Sequence, residues 1–289
     1  MRSSSIKQVT PQNFGMLFLQ ERFGEIYKQC NEDFKKMVSI EQFNELAKSF
    51  NSNVKNYELI SEITINNVNQ YIWVDDQQEK AINVMIDSNN MIHGLLLKPF
   101  LIFPESDKNY TQNTYIMPVN DEWYVFWGGV NEFVNYHYAY ETQRYAYDLV
   151  IMKNGTTFND SSILNENYFA FNKEVIAPAD GEVVKVIDYL TDNVPGEMYE
   201  LEPAGNLIII KHKNNEYSMV AHLKNNASLV QVGDTVKQGD VIALCGNSGN
   251  SSEPHIHFQV MDSQDYMNCK SIRIRFTEDK EPIQGDIIK

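Results

Sequence analysis

Two histidines one residue apart, in Pro254-His255-Ile256-His257-Phe258, are the first residues whose types and spacing could do chemistry. Side chains alternate across a strand, so His255, His257 and Gln259 share one face, while Ile256, Phe258 and Val260 share the other. Such a strand packs its apolar side and offers two imidazoles next to each other. Neutral imidazoles ligate metals, and near neutral pH they also exchange protons. The plain alternative is an exposed strand with two solvated histidines, so the pair needs partners elsewhere. Asp148 stands at the edge of the apolar run Leu149-Val-Ile-Met152. If buried there, its carboxylate must be paired, hydrogen-bonded or bound to metal. His222 lies in the strand-like run at 217–223, and Asn135-Tyr136-His137 forms part of a tyrosine-rich loop.

Several elements must position these groups. Gly246, Gly249 and their polar neighbours form a tight, flexible-backbone turn into the His-x-His strand. Residues 122–127, 175–184 and 206–212 read as strands of the same half. Residues 232–241 read as a hairpin-like unit with a turn glycine on each side of 235–238. His212, after a buried strand, reads as structural. Residues 14–50 read instead as helices. Phe23, Ile26, Tyr27, Cys30 and Phe34 recur at helical spacing. Ser39 and Gln42 form a capping box that opens a helix with Phe43, Leu46, Ala47 and Phe50 inward. Residues 58–65, 70–74, 80–86 and 91–98 then alternate with period two, with a turn at 87–90. His93 lies in the last of these strands and reads as structural. The expected fold class is α+β. An N-terminal domain of helices and curled antiparallel sheet, residues 1–105, precedes an antiparallel all-β domain, residues 106–289.

Composition narrows the function classes. The net charge of −15 disfavours nucleic acid and anionic membrane as partners. Three widely spaced cysteines, without Cys-x-x-Cys, provide neither a disulfide framework nor a thiolate metal site. No apolar run has the length of a membrane helix. Residues 1–13 lack a signal-peptide core. The expected location is the cell wall or extracellular space if an export signal has been removed, and the cytoplasm otherwise.

Four motifs stand in a recognisable order: Ala177-Pro-Ala-Asp-Gly-Glu-Val, Ala221-His222-Leu223, Val232-Gly-Asp-x-Val-x-x-Gly239 and Pro254-His255-x-His257-Phe258. Together they resemble the lysostaphin/LytM-type zinc endopeptidases over about residues 123–263. The first half resembles, by pattern alone, cystatin-like or nuclear-transport-factor-like domains. The peptidase resemblance implies a small antiparallel β domain with an open groove that cleaves peptide bonds of bacterial peptidoglycan. It implies one Zn²⁺ per chain, with His257 and Asp148 as ligands and His222 and His255 flanking the metal water. The family's usual first ligand is a histidine four residues before the aspartate, and here that position is Arg144. A guanidinium stays protonated and cannot ligate zinc. Arg144 would share a strand face with Asp148 and is free to pair with it.

Two readings follow. In the first the domain is degenerate and metal-free, and acts as a wall-binding or regulatory module. In the second His137 supplies the third ligand, as in the β-lytic branch with its wider spacing. The intact Asp148, His222, His255 and His257 favour the second. Two histidines and one carboxylate can also hold Fe(II) in an oxygenase, but the glycine-turn motifs do not predict that. Ala-Pro-Ala-Asp-Gly also resembles lipoyl or biotinyl carriers, yet no lysine stands where the carrier would need one. Tyr136, Tyr138, Tyr140 and Trp127 are candidates for a substrate shelf.

Overall fold

A computed structural model describes residues 8–65, 68–278 and 280–289. Residues 1–7, part of the polar N-terminal stretch, lie outside the described residues. The chain divides into two compact units, Met1–Ile102 and Phe103–Lys289. The division falls three residues before the expected boundary at 105.

The first unit opens with helices α1 (Pro11–Leu19), α2 (Phe23–Lys28), α3 (Glu32–Met37) and α4 (Ile40–Phe50). An antiparallel meander follows, β1 (Tyr57–Ile65), β2 (Val68–Asp75), β3 (Lys80–Asp87) and β4 (Ile92–Pro99). The apolar run from Phe23 to Phe34 is not one helix. Its first helix, α2, stops at Lys28, and Asn31 starts α3, accepting a hydrogen bond from Phe34 N at 2.9 Å. Both pieces still bury their apolar residues in one core with Trp73, Ile82 and Val84. The Ser39–Gln42 capping box is present. In α4 only the strip Phe43, Ala47, Phe50 packs inward, and Leu46, expected inside, is 61% exposed at its edge. His93 bonds Asp87 at 3.0 Å across the last turn, a structural role.

The second unit contains β5 (Trp123–Trp127), β6 (Tyr147–Val150), β7 (Glu174–Ile176), β8 (Gly181–Ile187), β9 (Asn206–Lys211) and β10 (Tyr217–Leu223). It ends with β11 (Thr235–Val236), β12 (Val241–Leu244), β13 (Ile256–Met261) and β14 (Ile287–Ile288). Eight strands form an antiparallel sheet in the order β11-β8-β9-β10-β13-β6-β5-β14, and β12 pairs with β7. Residues 232–241 are therefore not a hairpin. Gly233 and Gly239 take positive φ and route β11 and β12 onto different partners.

The central strand β13 alternates as its sequence requires. Ile256, Phe258 and Val260 enter a core with Leu149, Val220 and Ile208. His257 and Gln259 take the opposite face, with His257 in register with Asp148 on β6 and Ala221 on β10. Packing on one face thus fixes the imidazole on the other. Phe258 is fully buried, so Phe258→Ala is expected to cost about 3–5 kcal/mol, read by denaturant unfolding.

The turn before β13 uses glycine for close approach rather than for flexibility. A Cβ on Gly246 would stand 2.3 Å from Lys224 Cα, and one on Gly249 (φ +77°) would stand 2.3 Å from Gly205 N. No helix among the described residues is long and apolar enough to cross a membrane.

Candidate metal centre

Asp148 occupies β6 beside β13, where it is nearly water-free at 5% exposure. Its Oδ2 lies 3.0 Å from His137 Nε2, and its Oδ1 lies 3.0 Å from His257 Nδ1. His255 Nε2 is 3.9 Å from the same Oδ1. Burial alone would raise the Asp148 pKa, but the charges and hydrogen bonds of these histidines outweigh it and hold the carboxyl well below its usual range. For His257, burial opposes the cation, yet the Asp148 hydrogen bond and charge prevail and raise its pKa. Burial lowers the pKa of His137, and Asp148 offsets only part of that shift.

His137 reaches the centre from a 3₁₀ turn, Tyr136–Ala139. Asn135 caps that turn, its Oδ1 accepting from His137 N at 3.1 Å. The fully buried Asn135 amide also bonds the backbone carbonyls of Gly129, Arg144 and Ala146, tying the loop to the approach to β6. Tyr136 packs on the His137 ring, centroid to centroid 3.9 Å. Sequence reading found no role for Asn135, since its acceptors are carbonyls that carry no side-chain signature.

Arg144 does not pair with Asp148. It lies in the turn before β6 rather than on the strand. Its guanidinium sits 3.4 Å from the Phe103 ring centroid, and its Nε donates to Tyr138 O at 3.1 Å. Arg144 thus braces the turn that carries His137. A histidine in its place is held by a backbone that faces this brace. The double variant His137→Ala/Arg144→His is therefore expected to bind no more zinc than His137→Ala alone, measured by elemental analysis.

His222 sits at a bulge of β10 with φ +61°, in the left-handed region. This strained backbone is held by His222 N donating to Ala204 O at 3.1 Å and by His222 O accepting from Gly246 N at 3.2 Å. Its Nδ1 donates to Ser248 O at 2.9 Å, which leaves Nε2 as the basic nitrogen. Burial, with the nearby charges of His255 and His257, holds its pKa well below the usual value. His255 Nδ1 lies 2.8 Å from Glu253 O and donates to it, and the His222 and His255 ring centroids are 4.6 Å apart. All five sequence-named residues thus gather in one place. His212 stands apart, bonded to Asp180 O and Ser218 Oγ, as a structural residue.

The centre opens on a cleft of about 380 Å³ whose lining includes His137, His222, His257, Tyr136, Tyr140 and Tyr266. Tyr136 and Tyr140 are exposed there, but Tyr138 is fully buried and cannot contact a substrate. Its hydroxyl donates to Asp107 and accepts from Phe103 N. Trp127 packs on Tyr136, 5.6 Å between centroids, and is not part of the cleft lining.

The donor set fits a metal ion. One ligand atom from each of His137, Asp148 and His257 lies within 4.8 Å of the others. Atoms bound to one tetrahedral zinc at about 2.0–2.2 Å stand roughly 3.3–3.6 Å apart, close to the 3.0 Å contacts to Asp148. Two imidazoles and a carboxylate with one position left open are the pattern of catalytic zinc.

Residues 167–269 match the model of Peptidase family M23. An uncharacterized metalloprotease of Haemophilus influenzae is 40% identical over 85 residues, 29% of this chain and 15% of its own length. The peptidoglycan DD-endopeptidase ShyC of Vibrio cholerae is 30% identical over 70 residues, 24% of this chain and 16% of its own. The murein hydrolase activator NlpD of Escherichia coli is 40% identical over 86 residues, 30% of this chain and 19% of its own. The chain thus spans less than a fifth of the length of each of these relatives. His137, Arg144 and Asp148 precede the matched residues, whereas all four motifs and His222, His255 and His257 fall inside them. The match to Peptidase family M23 thus covers residues 167–269, less than half of the chain.

Proposed function

We propose that this chain is a zinc-dependent endopeptidase that hydrolyses peptide bonds of bacterial cell-wall peptidoglycan. The observation that carries the proposal is the convergence of His137 Nε2, both Asp148 oxygens and His257 Nδ1 beside a cleft that His222 also lines, with His255 packed against His222. A bound zinc would supply a Lewis acid for the scissile carbonyl and a water acidic enough to ionise near neutral pH. His137, Asp148 and His257 would hold it. His222 takes the base role, because its Nε2 carries no proton and burial keeps the ring neutral. The proton that His222 Nε2 takes from the water is the one returned to the leaving amine, and His255, ring to ring 4.6 Å away, stands beside it as the second imidazole. Tyr136 and Tyr140 are exposed at the cleft and offer surface to the peptide.

The relatives named as a DD-endopeptidase and a hydrolase activator frame the test. Purified protein is incubated with intact peptidoglycan sacculi and zinc, and released peptides are identified by mass spectrometry. New amino termini that disappear with a chelator and return with added zinc support the proposal. Sacculi left intact by zinc-loaded protein would overturn it in favour of a regulatory or wall-binding module.

A further inference from the structure

Gln259 follows His257 by two residues on β13 and shares its face. It is 1% exposed, so its amide must find partners inside the protein. Gln259 Nε2 donates to Thr142 O at 3.0 Å. A backbone carbonyl can only accept, so this bond fixes which end of the amide is which. Gln259 Oε1 then faces His257 Nε2 at 3.0 Å. That oxygen also can only accept, so His257 must carry its proton on Nε2. The neutral ring is left with its lone pair on Nδ1, the nitrogen 3.0 Å from Asp148 Oδ1. A lone pair facing a carboxylate oxygen at that distance is favourable only with a cation shared between them, a proton in the metal-free protein or a metal ion in its place.

We propose that Gln259 is a positioning residue that selects the Nε2–H form of His257 and so presents Nδ1 as the ligand atom to a metal held with Asp148 and His137. The relay runs from Thr142 O through the Gln259 amide to the His257 ring. It fixes both the rotation of the ring and its tautomer, which is how groups beyond the ligands tune a metal site. Asp148 alone does not set this choice, because its carboxylate accepts a proton from Nδ1 as readily as it shares a cation with it. The inference rests on the reading of His257 as a metal ligand.

The test uses the full chain, with Gln259→Leu and Gln259→Glu beside wild type. Gln259→Leu removes the acceptor. Gln259→Glu keeps an acceptor, at the cost of the bond to Thr142 O and of an added buried charge. Zinc is titrated against a competing chelator, and long-range proton–nitrogen correlation spectra read the His257 tautomer in the metal-free protein. The expected result is an Nε2–H pattern in wild type and Gln259→Glu, and its loss in Gln259→Leu. Zinc affinity should fall roughly 10- to 100-fold in Gln259→Leu and recover to within a few-fold of wild type in Gln259→Glu. A merely space-filling residue would give the opposite order, since leucine keeps the packing and glutamate adds a buried charge.

A wild-type His257 protonated at Nδ1 alone would overturn the proposal, and so would unchanged zinc affinity in folded Gln259→Leu. The tautomer is read without metal or substrate. A wild type that holds zinc but leaves peptidoglycan intact therefore defeats the proposed function without touching this inference.

Discussion

Asp148→Ala is expected to leave a folded protein that retains no zinc and whose hydrolytic rate falls by roughly 10³-fold or more, because metal and nucleophile go together. Among the described residues, Asp148 is the one carboxylate of the His137, Asp148 and His257 cluster. Both of its oxygens are engaged, each 3.0 Å from a different imidazole nitrogen. Without it, His137 and His257 are two neutral donors with nothing to offset a divalent charge. The alanine also opens a small void on the face of β6 and β13 that carries His257, opposite the core face of Leu149 and Phe258. Circular dichroism and a denaturant midpoint separate that packing loss from loss of the metal. Zinc bound at wild-type stoichiometry in this variant would show that the carboxylate is not a ligand.

The second large effect is expected at His222. His222→Ala should keep zinc near wild-type stoichiometry and lose about 10²–10⁴-fold in kcat, the range for removal of a positioned general base. Its Nδ1 is committed to Ser248 O, so Nε2 is the atom that acts. The strained φ of +61° is an independent sign that this residue is held for its position. Replacement by alanine removes the base but not the strain, so a modest stability change accompanies the kinetic one. Stopped-assay rates and elemental analysis on the same preparation check both halves. A variant that loses zinc and rate together would make His222 part of the metal site instead.

Much of this centre was legible in the chain before folding. The two-residue alternation of 256–260 placed His257 and Gln259 opposite Ile256, Phe258 and Val260, and β13 keeps that arrangement. Ser39 and Gln42 announced the start of α4 because a capping box is local chemistry. Asp148 was readable as a carboxylate that needed partners, since its neighbours are apolar.

What escaped depends on distant backbone. Arg144 was expected on a strand face beside Asp148, but β6 begins three residues later and the side chain finds the Phe103 ring and Tyr138 O instead. The glycines at 233 and 239 gave the local shape of a hairpin, while the pairing that strands actually make, β11 with β8 and β12 with β7, is set by residues some 50 or more positions away. Tyr138 looked like its exposed neighbours Tyr136 and Tyr140. It is buried because Asp107 and Phe103 N satisfy its hydroxyl, a pairing across more than 30 residues. Leu46 has helical spacing to Phe43 and Phe50, yet α4 packs a narrower strip than the spacing allows.

The claim on which the account turns is that His137, carried by a 3₁₀ turn, replaces the ligand that Arg144 cannot provide. Elemental analysis of purified wild type beside His137→Ala tests it most directly. About one zinc per wild-type chain and none in His137→Ala, with the fold intact by circular dichroism, is the expected result. Equal zinc in both proteins would remove His137 from the centre, and no zinc in wild type after reconstitution would contradict the metal centre itself.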